Sequence, residues 1–204
     1  MVYLSSDIYT QMNKWIVIIF FVALTGCRTR YDNPHIVIHT NYGDIEAELY
    51  PKQAPKTVAA FLSYIDSGFY DNSLFYRVVL QEGLTPDDNV GFIQGGIWKT
   101  ALQHLIEIPG IVHESTKQTG LSHTDGIISL ARTIPGTAST EFFICIGDQT
   151  QLDYGNKMPG NDGLGFAAFG KVVKGMSIVR KIQEQPGNNE EFTRKILISS
   201  IEKL

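Results

Sequence analysis

The side chains that most often carry chemistry are few in this chain: five histidines and two cysteines in 204 residues. Their spacing decides what they can do together. His35 and His39 would share one face of a strand, yet at 3.3 Å per residue they stand about 13 Å apart, too far to ligate one metal ion. His104, His113 and His123 have no partner cysteines and read as solvated loop histidines. Gly163-Leu164-Gly165 is not followed by a helix carrying a lysine, so it is no phosphate loop. No Ser-His-Asp set can be assigned. Cys145 lies in Phe142-Phe143-Ile144-Cys145-Ile146 and reads as a small buried hydrophobe, whereas Cys27 follows an apolar run; a disulfide between the two is not expected. Metal, phosphate-loop and triad chemistry are set aside, and no cofactor is expected.

The chain is 43% apolar and 19% charged, with a net charge of −4 and a pI near 5.7. It is long enough for one domain with a real core. No run of Lys or Arg is present, which argues against nucleic acid as a partner, since phosphates demand a basic patch.

Residues 15–24 are an uncharged apolar run of ten. That is too short to span a bilayer, which takes about 20 residues, and right for the core of an export signal. Lys14 supplies the preceding positive charge, and Met12 is a possible second start. The run ends in Leu24-Thr25-Gly26-Cys27, which resembles the bacterial lipobox, in which the cysteine is lipidated and becomes the first residue of the mature chain. The alternative is a plain secretory signal, or a tight membrane span, that happens to end in Cys. The lipobox reading implies a signal peptide over residues 1–26, an acylated Cys27 with a tether to residue 34, and a folded domain over 35–204. It places the protein in the cell envelope, anchored to a membrane by its lipid, at the periplasmic or outer-membrane face. Two or three acyl chains, at about 0.8 kcal/mol per buried methylene, make a stable anchor.

The elements that follow are mostly strands. Residues 36–40 and 44–50 flank Asn41-Tyr42-Gly43 as a hairpin, the second alternating apolar and acidic residues. Further strands are expected over 75–79, 91–95, 126–132, 141–147, 168–173 and 193–202. Helices are expected over 56–66, with Val58, Phe61, Leu62 and Ile65 on one face, and over 175–185, with Ile178, Val179 and Ile182 inward. Eight short strands and two distant helices predict a mainly β fold, a closed eight-stranded antiparallel barrel capped by two helices. Two long loops, 80–90 and 154–165, stand out as functional candidates.

Six blocks, in order, carry a family resemblance. They are Glu48-Leu49-Tyr50 with Pro55-Lys56-Thr57-Val58 and Phe61; Phe75-Tyr76-Arg77-Val78-Val79; Gln94-Gly95-Gly96; Gly126-Ile127-Ile128-Ser129-Leu130-Ala131-Arg132; Glu141-Phe142-Phe143-Ile144; and Phe169-Gly170-Lys171-Val172-Val173-Lys174-Gly175-Met176. Together they resemble the cyclophilins, peptidyl-prolyl cis-trans isomerases, over about residues 36–204. The resemblance implies an isomerase that speeds proline-limited folding of exported proteins. The alternative is an envelope module that holds proline-containing peptides with little turnover. Proline-containing peptides and unfolded exported proteins are the implied partners, and a monomer is expected.

Rotation about an X-Pro bond must cross a barrier of roughly 18–20 kcal/mol set by amide resonance. No covalent step or proton transfer is needed. A fixed cation beside the amide nitrogen, in a site poor in water, favours the twisted amide over the planar one. By resemblance, Arg77 is that cation, and its guanidinium stays charged in apolar surroundings. Gln94 matches the glutamine that bonds the substrate carbonyl and helps hold the arginine. Phe143 matches the floor of the proline pocket and Leu152 its wall, while Leu130 and Ala131 match the edge along which the peptide lies. Plain core packing is the rival use of Phe143 and Leu130.

Four positions depart from the family pattern. Tyr76 replaces a common histidine, Gln151 a tryptophan, and Phe166 a histidine of the wall. Gly91 stands where a pocket phenylalanine is usual, with Phe92 one residue on. Either Phe92 fills the pocket or the pocket is more open.

Overall fold

In the computed structural model the described residues are 31–156 and 162–204. The expected signal peptide, Met12 and Cys27 lie outside them, as does part of the expected loop at 154–165.

Alternation of apolar and polar side chains drives the first hairpin. β1 (His35–Thr40) and β2 (Gly43–Leu49) turn Ile36, Ile38, Ile45, Ala47 and Leu49 inward and their polar neighbours outward. On the outer face His35 pairs with Glu46 at 2.9 Å and His39 with Asp44 at 2.8 Å. Five further long strands follow: β3 (Ser73–Gln81), β4 (Val90–Gly96), β5 (Ile127–Leu130), β6 (Phe142–Ile146) and β7 (Ala167–Lys174). The short β8 (Gly187–Asn188) leads into β9 (Glu191–Lys203). All pairings are antiparallel, in the order β1-β2-β7-β5-β6-β4-β3-β9, and β9 returns to pair with β1. The eight strands thus close a barrel with β8 as an appendage, which leaves no open sheet edge between β1 and β9.

Four α-helices occur among the described residues: α1 (Pro55–Asp66), α2 (Leu102–Glu107), α3 (Thr116–Thr119) and α4 (Met176–Gln183). The two longer ones are those expected. In α1 the buried face is Thr57, Val58 and Phe61; Leu62 and Ile65 pack at its margin. The orphan amides at its start have no local cap. Instead Glu114 reaches in and accepts from the Lys56 and Thr57 amides, at 3.2 and 2.8 Å, where a carboxylate also suits the helix dipole. In α4, Val179 and Ile182 are buried and Ile178 only partly. The helices α2 and α3 were not expected, because four to six residues are too few to show an amphipathic period.

Two clusters of apolar side chains result. Inside the barrel, Phe61, Tyr70, Phe75, Phe142 and Phe169 pack with a layer of isoleucines. Full burial of each such side chain contributes about 1.5–3 kcal/mol. The second, smaller cluster is outside the barrel wall: Ile127, Phe143, Cys145 and Ala168, with Phe92, Leu121, Ala131, Leu152 and Phe166 against them. Strand β6 explains both. Its even residues Phe142, Ile144 and Ile146 face the barrel interior, and its odd residues Phe143 and Cys145 face the outer cluster. A strand buried on both sides reads as one apolar run, as this one does.

Two local irregularities aim residues at that outer face. Between Phe75 and Arg77 the register of β3 shifts against both β4 and β9, a β-bulge that lets consecutive Tyr76 and Arg77 face the same side. At the β8–β9 turn, Asn189 and Glu190 both take positive φ, 51° and 63°. That is the backbone of the tight hairpin turn that matches strand twist, and it costs a residue such as Glu on the order of 1 kcal/mol.

Candidate active site

The outer cluster floors a cleft of about 610 Å³. Phe143 forms its base, its ring 5.2 Å from Phe92 and 5.5 Å, edge-on, from Phe166. Leu152 and Ala131 complete an apolar pocket large enough for a small ring. Of the six residues expected to meet the substrate, five have side chains lining this cleft. Leu130 does not: its side chain is 1% exposed within the barrel core, and its backbone lies between β6 and β7. Core packing is its role, because in a strand it must point opposite to Ala131.

The aromatic at position 92 is explained by Gly91. With φ at 138°, a Cβ there would lie 2.0 Å from the Val79 carbonyl oxygen, so no side chain fits; the cleft is lined by Phe92 instead. Gln151 is in the 3-10 turn Thr150–Leu152, where its amide donates to Gln149 at 2.6 Å; it does not line the cleft.

Polar groups converge on the other side. Arg77 Nη1 donates to Gln94 Oε1 at 3.0 Å. Its Nε and Nη2 both donate to one oxygen of Glu190, at 3.0 and 2.7 Å. The guanidinium carbon is 5.2 Å from the centre of the Phe92 ring, in cation–π range. Gln94 Nε2 donates to the Tyr76 hydroxyl at 2.7 Å, and that hydroxyl donates to Glu141 Oε2 at 2.7 Å. The other Glu141 oxygen accepts from the Ile97 and Trp98 amides, at 2.8 and 3.1 Å, and from the Thr140 hydroxyl at 3.1 Å. Burial pushes the Glu141 carboxyl up from its ordinary value, and these four hydrogen bonds pull against it. Burial, with Glu141 adjacent, pushes the Tyr76 phenol well above its usual range, so it remains a donor.

Behind Phe143 is His123, expected in a solvated loop and found fully buried. Its ring stacks on Phe143 at 5.8 Å, and its two nitrogens contact Asp153 Oδ1 at 2.6 Å and Ser129 Oγ at 3.0 Å. A neutral imidazole satisfies both partners, with Nδ1–H donating to the carboxylate and Nε2 accepting from the serine. Burial lowers its pKa below the ordinary histidine value, and Asp153 opposes that shift. An unfolded chain would therefore bind a proton here that the native state resists. The resulting stability is complete above about pH 6.5 and lost as pH falls through the lowered value. Between about pH 7.5 and pH 5, the denaturation midpoint of the wild type should fall more steeply than that of His123→Gln. Parallel slopes in urea titrations would remove His123 from the acid response.

Of the other histidines, His113 is tied to the Leu164 carbonyl at 3.0 Å and His104 is on α2 with its ring 5.6 Å from Phe69. Arg132 closes the far wall. It forms a two-pronged pair with Asp162 at 2.7 and 2.8 Å, and its guanidinium carbon is 5.1 Å from the Phe166 ring centre. The hydrogen bonds from Arg132 hold the Asp162 carboxyl down at about 2. Sequence reasoning missed Glu141, Arg132 and Trp98 as cleft residues, and Glu190 as the partner of Arg77. For Glu190 a signal existed: Gly187-Asn188-Asn189-Glu190 has hairpin-turn residues, but nothing in it points to Arg77.

An apolar pocket beside a fixed cation and an amide acceptor can hold a ring and a polar backbone together. The rotation needs no nucleophile and no proton transfer, and the Glu141 carboxylate in this cleft is taken up by hydrogen bonds from Tyr76, Ile97, Trp98 and Thr140. The comparisons agree with that chemistry. Residues 35–203 match the family model described as cyclophilin type peptidyl-prolyl cis-trans isomerase/CLD. Peptidyl-prolyl cis-trans isomerase A of Dickeya dadantii is 31% identical over 85% of this chain and 84% of its own. Peptidyl-prolyl cis-trans isomerase B of Escherichia coli is 34% identical over 72% of this chain and 83% of its own. A solved Cryptosporidium parvum cyclophilin, crystallised in the presence of the dipeptide Ala-Pro, superposes with a TM-score of 0.63 at 25% identity, over 82% of this chain and 96% of that one. The chain belongs to the cyclophilin-type peptidyl-prolyl cis-trans isomerases, and its activity is the isomerisation of X-Pro bonds.

Proposed function

We propose that the cleft over Phe143 is where the X-Pro bond turns, and that the protein does this for exported chains at the cell envelope. The observation that carries the first part is the fixed guanidinium of Arg77 at the mouth of an apolar pocket, bonded to Gln94. In this reading the proline ring rests on Phe143 between Phe92, Leu152 and Phe166, with the peptide along Ala131. Arg77 supplies positive charge where the amide nitrogen regains its lone pair, and Gln94 holds the rotating carbonyl. Both act more strongly on the twisted amide than on the planar one, which is what lowers a barrier. A protease-coupled assay on a proline peptide, with the chain from residue 28 onward, tests it. Turnover that an excess of a second Ala-Pro peptide inhibits is expected; binding without turnover would leave a proline-peptide-holding module.

The envelope location rests on the apolar run before Leu24-Thr25-Gly26-Cys27. Cys27→Ser should abolish labelling by a clickable fatty acid and release the protein from membranes or block its processing. Unchanged labelling would sink the anchor.

A further inference from the structure

We propose that Glu190 is a positioning residue for Arg77, built into the β8–β9 turn to hold the guanidinium in its working orientation. This rests on the reading of the cleft as the site of isomerisation. Three independent features carry it. First, both the Nε and the Nη2 of Arg77 donate to a single Glu190 oxygen, so the carboxylate grips one edge of the guanidinium while Gln94 takes Nη1. With the Phe92 ring on its face, the plane is fixed from three directions. Second, the turn is anchored to the strand that carries the arginine: the Val78 amide donates to the Glu190 carbonyl at 2.8 Å, and Glu191 is the register partner of Arg77. Third, Glu190 occupies a left-handed position, φ 63°, where glycine would sit without strain. Strain held beside a functional group points to a use for the side chain that causes it.

The chemistry requires such a partner. Arg77 is on a bulge, with 39% of its side chain exposed. A long side chain so placed samples many rotamers, and each turnover would otherwise include the cost of ordering it. Glu190 is itself 54% exposed, so water screens its charge and leaves Arg77 a cation towards the cleft. The unshared hydrogens of Nη1 and Nη2 remain for substrate.

Exchange NMR on a short Ala-Pro peptide reads turnover and affinity in one sample for wild type, Arg77→Ala, Glu190→Gly and Glu190→Gln. Loss of turnover in Arg77→Ala establishes the site; its absence would refute that reading before Glu190 is judged. With the site established, Glu190→Gly should lower turnover about fivefold, with peptide affinity changed less than about twofold, because an unordered cation penalises the twisted amide and not the ring pocket. Its thermal midpoint should equal or exceed that of wild type, since the strained φ is relieved. Glu190→Gln keeps an oxygen that accepts from both Nε and Nη2, and should recover turnover to within about twofold of wild type. The Arg77 Nε–H resonance should exchange slowly with water in wild type and Glu190→Gln, and rapidly in Glu190→Gly. Turnover in Glu190→Gly equal to or above wild type would overturn the proposal, the latter by showing that Glu190 restrains the enzyme. An equal loss in Glu190→Gly and Glu190→Gln would also overturn it, because the effect would then follow charge and not position.

Discussion

Arg77→Ala should lower turnover per bound peptide at least about tenfold, which corresponds to about 1.4 kcal/mol of barrier. Peptide affinity should fall much less, because Phe143, Leu152, Phe166 and Phe92 still form the ring pocket. The fold should tolerate the change. Arg77 is partly exposed and its ion pair with Glu190 is open to water, a type of pair worth about 0–1 kcal/mol. Arg77→Lys should rescue only part of the loss. An ammonium has no planar fork, so it cannot bond Gln94 at one edge and Glu190 at the other while lying on Phe92. Line-shape or exchange spectroscopy on an Ala-Pro peptide provides the measurement. Equal exchange rates for wild type and Arg77→Ala, at equal folded fraction, would remove Arg77 from the mechanism and favour the peptide-holding module.

How much of this was legible in the sequence depends on the range over which each feature is set. Strand β6 was legible because five apolar residues in a row, with aromatics, suit a strand buried on both faces. Helices α1 and α4 showed a helical period and were bounded by Pro55, Gly68 and Pro186. Arg77, Gln94 and Phe143 were found by their match to family blocks, and they do share one cleft. The short helices were missed because four to six residues are too few to show an amphipathic period, although Ser115 with Gln118, and Gly120, are local cap signals for α3. His123 was misread for a different reason. Nothing near it in sequence shows that Asp153 and Ser129, 30 and 6 residues away, would satisfy it in the interior. For Leu130, matched only to a backbone edge, the pleat decides which of two neighbours faces the cleft, and its side chain takes the core position that was the rival reading. Glu190 is 113 residues from Arg77 in sequence, and only the closure of β9 against β3 brings them together. Of the shifted and the open pocket, the structure has the first, with Phe92 lining the cleft, and the Val79 carbonyl explains why position 91 carries no side chain.

The second large effect is expected at Glu141, the buried end of the relay that runs through Tyr76 and Gln94 to Arg77. Its carboxylate only accepts, so the Tyr76 hydroxyl must donate to it and can then only accept from Gln94. Gln94 therefore turns its NH2 towards Tyr76 and its oxygen towards Arg77, which has only donors to offer. The direction of the whole relay is set by the charge at its buried end. Glu141→Gln is nearly isosteric but reverses that end. Its new amide oxygen should face the Ile97 and Trp98 amides, which leaves the NH2 against Tyr76. The tyrosine oxygen then meets two donors and its own hydrogen has no acceptor, unless Gln94 flips and turns its NH2 on Arg77. The flip loses the Arg77–Gln94 bond, whereas an unflipped Gln94 keeps it and leaves the Tyr76 hydroxyl hydrogen without an acceptor. One misdirected buried hydrogen-bond group costs about 1–3 kcal/mol, so the variant should remain folded with a lower thermal midpoint. We expect the flip, and with it turnover should fall about tenfold or more, since a flipped Gln94 no longer presents the same group to the arginine or to the substrate. Tyr76→Phe severs the relay instead of reversing it and should cost less, because Gln94 stays free to keep its orientation. Unfolding curves separate the stability effect from turnover measured at equal folded fraction. A Glu141→Gln variant with wild-type turnover would show that Gln94 is oriented by something other than this relay.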